Sequence, residues 1–255
     1  SVPISLLDNI RISNGEQELR NFFRRQYEID YVAASEMIND KGLHFSTLFV
    51  LKDDLPRKII EKELNPTYRK ALFLAGLLSS KYNGRQKDIP RVIEKRLRSK
   101  KDDYISSLRW IVGTGGPEDN LGSKYEQIIE RAAALLVKSF GDTTQLPALA
   151  ELIFARYRRK ALIHELVWAF FEACSPDSLK LLASRLNSSD VRDAQLAKRL
   201  LSFIPGIADN SLNTRLSPFS TVSGWIDENR PFLCYTGENL HQSNTPMPYS
   251  VSLSA

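Results

Sequence analysis

Helix start and stop signals recur along this chain from about residue 16 to about 217, and strand patterns are nearly absent over the same stretch. Asn65-Pro66-Thr67 opens one helix, with Pro in the first turn, where its missing N–H costs nothing. "YRKALFLAGLLSSKY" carries that helix to a stop at Asn83-Gly84. Asp88 is placed to cap the next helix, in which Ile89, Val92, Ile93 and Leu97 form an apolar stripe. Asp102 or Asp103 starts another, ended by "GTGGP". "SKYEQIIERAAALLVKSFGD" has the pattern of a long amphipathic helix stopped by Gly141. Ser175-Pro176-Asp177 leads into "SLKLLASRL", and Ser189-Asp190 into "VRDAQLAKRLLSFI", which Pro205-Gly206 ends. "GLHFSTLFVL" fits a buried helix or a strand, and its helical neighbours favour helix. The expected fold class is all-α.

The last forty residues change character. They are rich in Ser, Pro, Asn and aromatics and lack helical periodicity, so 218–255 is expected to be an irregular or extended tail, or the start of a further domain. Within it "RPFLCYTG" and "PYSVSLSA" read as two strands joined by a polar loop. The alternation breaks off at Ala255, which reads as a fragment of a longer protein.

One motif echoes itself. "RKAL" spans Arg69 to Leu72 and Arg159 to Leu162, each time at an expected helix start. Aligned on Arg69, Arg159 and Arg192, three segments place Ala71, Ala161 and Ala194 two positions on. Leu77-Leu78, Val167-Trp168 and Leu200-Leu201 follow eight and nine positions on. A small residue early in a helix lets a partner approach closely, and the large pair then fills the core. The offsets of 90 and 33 suit a unit of roughly 33 to 47 residues with one drifted copy between. Here the chain resembles HEAT or armadillo-type helical repeats, most clearly in "SPDSLKLLASRLNSSDVRDAQLAKRLLSFIP" with its Asp190-Val191-Arg192. The resemblance implies an irregular HEAT-like α–α superhelix of antiparallel helix pairs over 1–217; the alternative is an irregular helical bundle.

Composition narrows the class of function. The chain is 42% hydrophobic and 25% charged, as in ordinary globular proteins. Cys174 and Cys234 form neither a CxxC pair nor a disulfide framework, which points to a reducing, cytoplasmic compartment. The first residues lack a basic region followed by an apolar run, so no secretory signal is expected. "ALIHELVWAFFEAC" is too short to span a bilayer and holds His164 and Glu165, so no membrane partner is expected either.

Dedicated catalytic motifs do not emerge. "HELVW" has Trp168 where a zinc-binding HExxH needs its second His, and His164 reads as a packed, hydrogen-bonded residue. His44 and His241 lack neighbouring ligands at metal spacing, and both cysteines read as small apolar residues, so no metal or cofactor is expected. "VGTGGPEDNLGSK" departs from both the Walker loop and the dinucleotide fingerprint, and Glu118 and Asp119 would repel phosphate, so it reads as a helix-ending loop. Carboxylates assembled only by the fold stay invisible at this level.

The net charge of +5 has a local origin. Residues 81–101 carry nine basic groups against Asp88 and Glu94, so the rest of the chain sums to −2. Lys87, Arg91, Lys95, Arg98 and Lys101 follow one another at spacings of 4, 4, 3 and 3, an outward stripe opposite the apolar one. Such a stripe is a phosphate-tracking surface or simply a solvated helix face, and it has no interleaved aromatics for base stacking. Arg156, Arg159 and Lys160, within "RYRRK" at an inter-helix turn, would extend it if the fold brings the two together. The leading expectation is a non-enzymatic helical scaffold that binds another protein. The alternative is nucleic-acid binding through the basic helix at 87–101, within a larger enzyme or machine. A third reading is a helical enzyme with fold-assembled carboxylates.

Overall fold

A computed structural model describes residues 3–79, 101–118, 120–207, 217–238 and 247–252. It is mostly helical, 70% of residues, with a small two-stranded sheet near the C-terminus. The chain divides into two compact units, Ser1–Leu136 and Val137–Ala255. The boundary expected at 217/218 lies inside the second of these units.

Seven α-helices among the described residues build the first unit: α1 (Leu6–Asn14), α2 (Glu16–Ile29), α3 (Tyr31–Ile38), α4 (Phe45–Leu51), α5 (Pro66–Ser79), α6 (Lys101–Gly115) and α7 (Ser123–Ala134). Side-chain caps start several of them: Ser5 accepts from the Asp8 amide and Asp30 from the Ala33 amide. Gly15, at φ +90°, makes the sharp turn between α1 and α2. The ambiguous "HFSTLFVL" is indeed a helix, α4, and Phe45, Ser46, Thr47, Leu48, Val50 and Leu51 are all buried in it. A helix buried on nearly every side belongs at the centre of its unit. Leu7, Leu19, Phe23, Ala34, Ile38 and Leu43 pack in the same core. Tyr68 stacks on Trp110 at 4.2 Å between centroids, and its hydroxyl donates to the Asp40 carbonyl.

The second unit holds α8 (Leu146–Arg158), α9 (His164–Phe171), α10 (Pro176–Ala183), α11 (Val191–Leu200) and α12 (Pro218–Asn229), with strands β1 (Leu233–Tyr235) and β2 (Tyr249–Val251). Its central helix is α9, where every residue from Leu166 to Phe171 is buried. α8 packs on α9, α10 and α11, and α10 packs on α12. β1 and β2 pair antiparallel with Tyr235 opposite Tyr249, as the two expected strands require. Tyr249 seats the hairpin against Phe171 and Phe203.

Two expectations are corrected. The tail is not irregular from 218: Ser217 caps α12, Pro218 opens it, and Val222 and Ile226 bury its inner face. An apolar stripe of two residues is too short to register as a period, although the Ser-Pro start was a local signal. The second "RKAL" does not open a helix either. Arg159 is the C-cap of α8, Lys160 sits at φ +60°, and the next helix begins only at His164. Arg69 and Arg192, by contrast, both lie in first turns, so the middle copy of the echo breaks the register.

Candidate functional site

The cations named from sequence scatter. Lys87, Arg91, Lys95 and Arg98 lie outside the described residues, and Lys101 opens α6. Arg156 is only 1% exposed and so is not a surface cation. It falls on the inward stripe of α8 with Leu149, Leu152 and Ile153, and its Nη1 donates to the Leu162 carbonyl at 3.3 Å. Arg159 and Lys160 are exposed in the turn that follows.

A charge network fixes the ground beneath that turn. Asp193, in the first turn of α11, is 2% exposed, and Arg158 Nη1 lies 2.8 and 2.7 Å from its two oxygens. Arg185, from the turn after α10, approaches Asp193 at 3.6 Å, pairs with Glu151 and covers the Phe154 ring. Arg192 Nη1 donates to the Arg158 carbonyl at 2.9 Å. The end of α8, the turn after α10 and the start of α11 are thereby tied at one place. Two large apolar side chains stand out from it: Leu162 is 84% exposed and Val191 67%. Burying each would remove apolar area worth about 1.5–3 kcal/mol. The cations next to them in sequence, Arg159, Lys160 and Arg192, are exposed as well.

A second polar assembly lies in the first unit, and residue spacing gave no warning of it. Asp8, fully buried, accepts from the Ser5 and Thr47 hydroxyls and from the His44 amide. Arg11 donates Nε to Thr47 Oγ1 at 2.8 Å and pairs with Glu118, which also accepts from Ser46 at 2.8 Å. His44 Nδ1 sits 3.3 Å from Glu118 Oε1 and 3.8 Å from Asp8 Oδ1. Burial pushes the Arg11 guanidinium down from its ordinary value, with the Asp8 charge opposing that shift. Fold-assembled carboxylates thus exist here. Each oxygen of Asp8 and Glu118 has a polar partner within the network, so its chemistry is that of a lock joining α1, α4 and the loop after α6. The available signals were Asp8 and Arg11 on the buried face of α1 beside Leu7, and the Ser46-Thr47 hydroxyls in an apolar run.

His164 is the packed residue expected, accepting at Nδ1 from Trp168 Nε1 at 3.1 Å. Cys174 and Cys234 are exposed, which corrects their reading as buried apolar residues. Among the described residues, no group of three or more His, Cys, Asp or Glu is placed to hold a metal ion. No helix of the described residues is long and apolar enough to cross a membrane. Neither a model of a protein family, nor a curated protein, nor a solved structure matches the chain.

Proposed function

We propose that this chain is a cytoplasmic, HEAT-like helical scaffold that binds another protein, with no reaction of its own. The observation that carries the reading is the exposure of Leu162 and Val191 beside Arg159, Lys160 and Arg192 over a rigidly paired base. Exposed apolar anchors with Arg and Lys next to them in sequence suit a protein-recognition surface, and helix pairs supply a firm support for it. The partner chemistry that fits is an apolar side chain flanked by carboxylates.

The test is quantitative affinity capture with wild type and two variants, Leu162→Asp and Arg192→Glu, each checked for helicity by circular dichroism. A partner held by wild type and bound at least tenfold more weakly by both folded variants supports the reading. A partner held equally by all three overturns it.

Nucleic-acid binding stands as the second reading, favoured by the nine basic groups between 81 and 101. Affinity for a mixed-sequence duplex and a single strand, measured at several salt concentrations, decides it. An Arg91→Gln, Lys95→Gln, Arg98→Gln variant should flatten the slope of log K against log salt by roughly one unit for each phosphate no longer neutralised. An unchanged slope leaves the stripe as a solvated helix face.

A further inference from the structure

The stripe of α5 that carries Arg69, Leu72, Phe73, Gly76 and Ser79 follows helical spacing, and none of these residues is fully buried. It faces a half-open cavity of about 500 Å³, lined also by Phe49 of α4, by Lys52 and Asp53 after it, by Ile60 and Glu61, and by Lys124 of α7. That volume is in the range of small-molecule sites, and a mostly apolar lining with a few convergent charges is what such sites share.

The charges in this lining do not cancel. Asp53 is held by Lys52, whose ammonium also lies over the Phe49 ring at 4.6 Å. The Lys52 hydrogen bond holds the Asp53 carboxyl below its ordinary value, and the charges of Arg20 and Lys124 act in the same direction. Glu61 is held by Arg57 Nε at 2.6 Å, a cation from outside the cavity. Both carboxylates therefore come with a partner of their own. Arg69 remains, anchored by a single donor: Nη1 to the Glu61 carbonyl at 2.6 Å. The other N–H groups of its guanidinium have no partner among the described residues. Lys124 has no hydrogen bond or ion pair among the described residues either.

We infer that this cavity is a binding site for a small amphiphile with one anionic head, a carboxylate or a phosphate on an aliphatic or aromatic body. Leu72, Phe73, Phe49 and Ile60 take the body, while Arg69 and Lys124 take the head. A guanidinium already oriented by a backbone carbonyl presents its remaining donors as a fork, the geometry that carboxylate and phosphate oxygens match. The inference uses residues of the first unit only and does not depend on the protein-binding reading above.

The experiment titrates octanoate, octyl phosphate, octanol and inorganic phosphate into the full chain, with binding read by calorimetry and by amide chemical shifts. Octanoate or octyl phosphate should bind, octanol at least tenfold more weakly, and inorganic phosphate not at all. Which of the two anions binds more tightly identifies the head group. Arg69→Gln and Lys124→Gln should each weaken binding about tenfold. Gly76→Phe separates blocking from unfolding: a Cβ there meets nothing within 4 Å, and Gly is a poor helix former. That variant should keep or raise the melting temperature while abolishing binding. Equal binding of octanol and octanoate, unchanged affinity in Arg69→Gln and Lys124→Gln, or no binding of any amphiphile to wild type would overturn the inference.

Discussion

Glu118 reaches Arg11 and Ser46 from a loop whose sequence advertises only the end of a helix. Its side chain and that of Arg11 are 25% and 8% exposed, so the pair is screened far less than one in open solvent. The Arg57–Glu61 pair, with side chains 89% and 52% exposed, has similar chemistry and a different environment. Removing one partner of a buried pair leaves the other desolvated and unpaired, whereas removing one from an exposed pair returns the other to water. Glu118→Ala should therefore destabilise the protein by about 2–4 kcal/mol, mostly through Arg11. Arg57→Ala should leave the melting temperature unchanged within error. Denaturant unfolding of both variants checks this, and equal effects would show that the Arg11 network contributes no more than a surface pair.

At the scale of helices and loops, the close approach of α6, α7 and α4 depends on one missing side chain. A Cβ on Gly115 would lie 2.5 Å from the Tyr125 hydroxyl and 2.8 Å from Phe45 Cδ1, while Tyr125 donates to the Gly115 carbonyl. Gly115→Ala ought to favour the helix intrinsically, yet it is expected to cost about 1–3 kcal/mol because buried rings must move. A gain in melting temperature for that variant would show that the packing there relaxes freely. This glycine also marks what the chain's local pattern conveys and what it withholds. Caps such as Ser5, Asp190 and Ser217, the proline starts at Pro66, Pro176 and Pro218, and the stop at Gly141 act within one turn. The starts of α5, α7, α10 and α11, the α4 assignment and the terminal strands are legible for that reason. By contrast α1 and α12, with equally local starts at Ser5 and Ser217-Pro218, fall outside the expected helical stretch. The inward turn of Arg156 is legible too, from its spacing after Leu149, Leu152 and Ile153. The pairing of Glu118 with Arg11 spans more than a hundred residues, and no local period encodes it. The α5 stripe at 69, 72, 73, 76 and 79 was visible, but not the cavity facing it.

Two units with separate buried centres, α4 in one and α9 in the other, set an expectation for the whole molecule. Each unit has its own internally satisfied ionic network: Asp8, Arg11 and Glu118 in the first, Arg158, Arg185 and Asp193 in the second. Compact units with their own cores unfold as separate cooperative steps unless their interface couples them strongly. Scanning calorimetry of the full chain is therefore expected to show two transitions. Because Asp193 is buried against two guanidinium groups, Asp193→Ala should remove the common partner of Arg158 and Arg185 and lower one transition by several degrees. Glu118→Ala should lower the other by a similar amount, and the double variant should lower both additively, since the substitutions share no partner. A single transition shifted by either substitution alone would show that the chain unfolds as one cooperative body, with the two networks stabilising one common core.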